Sequence, residues 1–185
     1  MYKKSLLVVL LSVATMFGAS AQKFKPAPVF LKGVTEINVV FDYSKVIYDK
    51  DPQAKYHKEK GKKWVEEWEG TRRENNAMTF IKDANEELKG AANVDVYPKA
   101  EYTLIVCVLN CDFGAYAGPM SVPAKLQCKI NVVKTGKTTV LASTTLKVAQ
   151  SSFTTMATPI DFDRMYLAFG EMGEKVGELL YKILK

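Results

Sequence analysis

From Val122 to Val133 the chain alternates with a period of two. Val122, Ala124, Leu126, Cys128, Ile130 and Val132 point one way, and Lys125, Gln127, Lys129 and Asn131 the other. A helix would scatter these apolar groups around its axis, whereas a strand gathers them on one face. The segment is therefore a half-buried strand, and the rest of the chain must supply an apolar layer to cover it. Burial of each large side chain is worth roughly 1.5–3 kcal/mol, which fixes the inward face.

The remaining periodicities supply that layer. Val34 to Phe41 reads as a first strand with Ile37, Val39 and Phe41 on one face, and Tyr102 to Cys111 as a central strand apolar on both. Tyr56, Trp64 and Trp68 fit one face of a short helix that Gly61 weakens. Thr71 and Glu74 have capping-box spacing, and Ala77, Ile81, Ala84 and Leu88 follow as a helical stripe ending near Gly90. A final helix, capped by Asp161 or Asp163, carries Met165, Phe169, Met172, Val176, Leu179, Leu180 and Ile183. Gly170, Gly173 and Gly177 adjoin this stripe, and each costs a helix interior roughly 1 kcal/mol against alanine. Close backbone approach to the sheet or to the other helix explains them.

The hairpin after Val133 is expected to turn through Lys134-Thr135-Gly136, setting Ile130 against Val140 and Cys128 against Ala142, with Gly136 left-handed. The expected architecture is α+β, a two-layer α/β sandwich. It has a mixed four-stranded sheet in the order β-α-β-β-β-α, with the first crossover parallel and both helices on one face.

Residues 1–21 read as an export signal, with Lys3 and Lys4, an apolar run from Leu6 to Phe17, and Ala19-Ser20-Ala21 for cleavage. The run is shorter than the ~20 apolar residues that span a bilayer. No cysteine follows the cleavage site, so no lipid anchor is expected. Residues 22–185 should form a single soluble domain in the periplasm or outside the cell. The net charge of +6, from which Lys3 and Lys4 would leave with the signal, argues against nucleic-acid binding and allows weak contact with anionic surfaces.

The chain has three cysteines and one histidine. Cys107, Cys111 and Cys128 lack zinc-site spacing, and an odd number leaves at least one unpaired within the chain. A strand turn about position 117.5 would place Cys107 opposite Cys128 and permit a disulfide; a shift of one residue separates them, and buried free thiols are the alternative. His57 stands among lysines without a candidate nucleophile. No metal or cofactor is expected.

Three surfaces are candidates for binding. The 112–121 loop could present Phe113, Tyr116 and Met120 from a flexible tip, unless these side chains fold back on the domain end. Trp64 and Trp68 could form an aromatic platform, or tie their helix to the domain. Lys55, Lys58, Lys60, Lys62 and Lys63 form a basic patch facing anionic surfaces, or a solvated helix face.

The run from Phe30 to Ser44, with Lys63-Trp64, Glu67-Trp68, Arg72-Arg73 and the C-terminal helix, resembles small exported proteins of unknown function from Gram-negative gut anaerobes. The element order is similar to small α/β domains of envelope assembly proteins. The resemblance implies export and transfers no catalytic residue. The expected function is non-enzymatic binding to an envelope protein or glycan. The alternatives are a carrier with an apolar cavity between sheet and helices, and an exported hydrolase with a polar cleft.

Overall fold

The computed structural model describes residues 22–117, 121–150 and 160–185. The expected export signal and Met120 lie outside the described residues.

The central strand is β5 (Tyr102–Asp112). On one edge it pairs in parallel with β1 (Glu36–Asp42), and on the other it pairs antiparallel with β6 (Lys125–Lys134), which pairs in turn with β7 (Val140–Ala149). These are the four expected strands, with the expected directions. Among the described residues the sheet nevertheless has seven strands. Short β2 (Ile47–Tyr48) and β3 (Asp51–Pro52) form a hairpin, and β2 continues along the β5 edge beyond the end of β1. Short β4 (Asn93–Asp95) pairs in parallel with β1. Segments of two or three residues are too short to show a period, which is why alternation did not reveal them.

Rows of inward side chains run across the sheet: Val39, Leu104, Val132 and Ala142, then Phe41, Val106, Ile130 and Thr144. Helices α3 (Arg73–Leu88) and α4 (Asp161–Leu184) lie together on that face. Phe80 of α3 and Phe169 of α4 both meet Phe41, at 5.2 and 6.3 Å between ring centroids. Along α4 the three glycines sit against α3. A Cβ on Gly173 would overlap the Phe80 carbonyl, one on Gly177 the Ala84 carbonyl, and one on Gly170 the Asp83 carboxylate. The partner of the glycines is thus the other helix.

Three local expectations are corrected. The β6–β7 loop is longer than three residues, because β6 runs on to pair Lys134 with Tyr102 while the Thr135 amide donates to the Glu101 carbonyl. The register therefore sets Ile130 against Thr144 and Cys128 against Leu146; the faces are as expected and Gly136 is left-handed, at φ +75°. Second, Thr71 caps nothing. The chain is already helical through α1 (Gln53–Lys60) and α2 (Lys62–Glu67), and the segment Trp68–Arg72 passes through a kink at Gly70 into α3. Gly61, at φ +84°, makes the break between α1 and α2. Third, Asp161 and Asp163 lie in the first turn of α4, beyond its Ile160 cap, where carboxylates suit the helix dipole.

Cys107 and Cys128 are not opposite. Cys107 pairs with Lys129 on the open face and Val108 with Cys128 on the helix side, before a bulge shifts the register. All three thiols are free. Burial pushes the Cys111 and Cys128 thiols well up, and Cys107 is raised by burial and then by the Asp42 charge. Thiol titration of the native protein should find at most one reactive group, Cys107, rising to three in urea without reductant. Fewer than three after unfolding would contradict these pairings.

Asp49 and Lys50, at φ 48° and 86°, form the two-residue turn between β2 and β3. Asp49 is held there by accepting hydrogen bonds from the Phe113 amide (2.8 Å) and the Tyr56 hydroxyl (2.7 Å). Lys50 is exposed and bears the left-handed cost without such ties. Lys50→Gly should stabilise the fold by about 1 kcal/mol, read as a higher urea midpoint.

Candidate functional site

The carboxyl ends of β1 and β5, the β2–β3 hairpin, α1, α2 and the start of α4 converge at one end of the sheet. Their aromatic residues form one cluster. Trp68 stacks on Trp64 at 5.7 Å and on Phe162 at 5.9 Å, and meets Phe113 edge-on at 5.1 Å. Its indole N–H donates to the Tyr48 hydroxyl at 2.8 Å. Trp68 and Phe113 are fully enclosed, and Trp64 is half-buried.

Three of the expected contact residues, Phe113, Trp64 and Trp68, are therefore brought together, Phe113 and Trp68 as core and Trp64 at its edge. Phe113 folds back under the helices, where Arg164, itself buried, donates to its carbonyl at 3.0 Å. Tyr116 alone of the described loop aromatics is exposed, at 49 %. His57 stacks on Tyr48 at 5.6 Å within the same cluster.

The basic patch is spread along α1 and the start of α2. Lys55 pairs with Asp51 (2.7 Å) and Glu59 (3.8 Å), Lys62 pairs with Glu66 (3.4 Å), and Lys60 lies over the Tyr56 ring. Lys58 and Lys63 have no ion pair among the described residues. Pairing leaves the patch with less net charge than its sequence suggests.

Beside the aromatic cluster a kink at Gly70 alters the direction of the chain between α2 and α3. Gly70 departs from helical geometry (φ −91°, ψ −115°), and Arg72 and Arg73 follow it. Arg73 donates to the Tyr48 hydroxyl and lies 4.2 Å over the Tyr43 ring. Arg72 bonds Glu67 at 2.8 Å and Asp163 at 3.3 Å, and lies 4.9 Å over the Phe162 ring.

Arg72 forms one wall of a groove of about 450 Å³ between the starts of α3 and α4. Asn75, Asn76 and Met78 line it from α3, and Phe162, Asp163 and Tyr166 from α4. Met78 is 60 % exposed and Tyr166 39 %. Asn76 is buried and its amide nitrogen has no partner among the described residues. An unpaired buried amide costs about 1–3 kcal/mol unless a water or a ligand meets it. The groove combines two amides, a charge-balanced guanidinium and apolar rims, which suits stacking and hydrogen bonding to a ligand.

Sequence reasoning missed this groove. Asn75/Met78 and Phe162/Tyr166 have the three- and four-residue spacings of a shared helix face. Nothing local, however, indicates that the two faces meet. Among the described residues, no cluster of three or more His, Cys, Asp or Glu side chains is placed to hold a metal ion. No helix there is long and apolar enough to cross a membrane.

No protein-family model and no curated protein matches the chain. Among solved structures it is similar to the PelC dodecamer from Paraburkholderia phytofirmans, at 9 % identity and a TM-score of 0.42, covering 77 % of this chain and 88 % of that one. A variant of the same dodecamer gives 14 % identity and a TM-score of 0.35, covering 78 % and 86 %.

Proposed function

We propose that this chain is an exported, non-enzymatic binding protein of the bacterial envelope and that the groove between α3 and α4 is its contact surface. The observation that carries this reading is the pair of exposed residues Met78 and Tyr166 on opposite banks of a groove held in place by Arg72. Tyr, Met and Arg are the residue types enriched where surfaces bind partners. The basic start, apolar run and Ala19-Ser20-Ala21 support export. A carrier would enclose its ligand between the layers. The inward Val39, Leu104, Val106 and Ile130 of the sheet are buried in one core with Phe80 and Phe169 of the helices, so that space is filled, which favours a surface groove.

A photo-reactive residue in place of Met78 tests the reading in cells. It should yield a discrete adduct that Tyr166→Ala reduces at least fivefold. A photo-reactive residue in place of Val96, which is exposed and lies outside the groove, should yield none. Equal adducts from both positions, or an adduct at position 78 indifferent to Tyr166→Ala, would overturn it.

A further inference from the structure

A second surface lies where the N-terminal lead-in crosses the last turns of α4. Phe24 and Pro28 from the lead-in, with Leu179 and Ile183 from α4, line a shallow apolar groove of about 170 Å³. Its polar lining comes from two cations, Lys23 and Lys182. Both are exposed, as are the neighbouring Lys25 and Lys185. Lys185 and Lys89 lie over the Tyr181 ring at 4.7 and 5.6 Å. None of Lys23, Lys25, Lys182 and Lys185 has an ion pair among the described residues. Of the nearby acids, Glu87 pairs with Lys89 and Glu178 with Lys175, whose hydrogen bond lowers the Glu178 pKa; Lys182 is near enough to help lower it but forms no ion pair with Glu178. Val29, one residue past the groove, is 64 % exposed.

We propose that this face docks on an anionic phospholipid bilayer. Lysine stems lie along apolar surface while their ammonium groups reach the lipid phosphates, and the apolar floor meets the glycerol and upper acyl region. Two features favour a bilayer surface over a dissolved anion or an enclosed lipid. A free phosphate gains nothing from an apolar floor. A groove of 170 Å³ is also smaller than the ~300–1,000 Å³ of sites that enclose a small ligand. Lys55 and Lys62 of the basic patch are paired with acids whereas Lys58 and Lys63 have no ion pair among the described residues, so what sets this face apart from them is the apolar floor between Lys23 and Lys182.

Co-sedimentation of the purified protein with vesicles decides the matter. Binding is expected to phosphatidylglycerol/phosphatidylcholine vesicles and to weaken as salt rises. Each lysine near such a surface is worth roughly a fivefold change in affinity, so Lys23→Glu/Lys182→Glu should weaken binding at least tenfold. Lys23→Gln/Lys182→Gln should fall between. Lys58→Glu/Lys63→Glu should leave binding unchanged, and soluble glycerol phosphate should not compete. Circular dichroism confirms that each variant is folded. Equal binding to phosphatidylcholine alone, absence of binding, or indifference to the Lys23/Lys182 reversals would each overturn the proposal. Loss of binding through Lys58/Lys63 would move the surface to α1 and overturn it too. Competition by glycerol phosphate would show a free-anion site instead.

Discussion

Gly173→Ala is expected to destabilise the protein by about 3 kcal/mol, although alanine is the better helix former by about 1 kcal/mol. The added methyl would meet the Phe80 carbonyl, carbonyl carbon and Cα, all backbone atoms of α3 that no rotamer change can move. Relief requires the two helices to separate, and Phe80 and Phe169 then lose their shared contact on Phe41. For a domain of this size the melting temperature should fall by roughly 10 °C. Gly170→Ala is the internal comparison. Its methyl would meet chiefly the end of the Asp83 side chain, which can swing aside, so the loss should be under about 1 kcal/mol. Urea titrations of both variants measure this directly; equal losses would mean that the helices do not touch through backbone at Gly173.

Trp68→Ala should cost about 3–5 kcal/mol, the range for removing a large aromatic from a close-packed site. Trp68 has no exposed surface, stacks on two rings and donates its indole N–H to Tyr48. Its removal would also leave the buried Tyr48 hydroxyl with Arg73 as its remaining described donor. Phe113→Ala should cost a similar amount, and the double variant less than the sum, because the two rings touch. Tyr116→Ala, a few residues along the same loop, should change stability by less than about 0.5 kcal/mol. The near-ultraviolet circular dichroism of the Trp68 variant should lose most of its aromatic signal. A Phe113→Ala variant as stable as the wild type would restore the loop-tip reading of that residue.

Much of the fold was legible from the residues themselves. Alternation identified the inward face of β6, where Leu126, Cys128, Ile130 and Val132 are buried, as is Ala124 beside its start, but Val122, expected on that face, lies before the strand and is 44 % exposed. The parallel first crossover and the antiparallel strands after it followed from element order, and the stripe of α4 from its spacing. The glycines of α4 pointed to a close contact, and only the packing of α3 supplied the partner. Strand register behaved differently. It depends on where a turn closes, and the Thr135–Glu101 bond and the bulge beside Val108 are contacts with distant or opposite strands. A period of two survives an even shift, so the faces of β6 and β7 came out correctly while their pairing did not.

The candidate sites divide in the same manner. Phe113, Trp64 and Trp68 stood out because large aromatics in glycine-rich or charged surroundings are conspicuous in a sequence. Whether such a ring faces solvent depends on what arrives from elsewhere, here Tyr48, Phe162 and the buried Arg164. The groove of Asn75, Met78 and Tyr166 had no sequence signal, since its two walls lie far apart in the chain and meet only because Gly173 and Gly177 let α3 and α4 close.

What the sequence by itself determined is local: the identity of the main strands and helices, the side of each that turns inward, and the need for close contact along α4. Periodicity and backbone propensity act between neighbouring residues and can be read without the rest of the chain. The tertiary structure alone decided which residues meet. It enclosed Phe113 and Trp68, separated Cys107 from Cys128 and assembled both grooves, because register, burial and unpaired charge depend on elements that only the fold brings together.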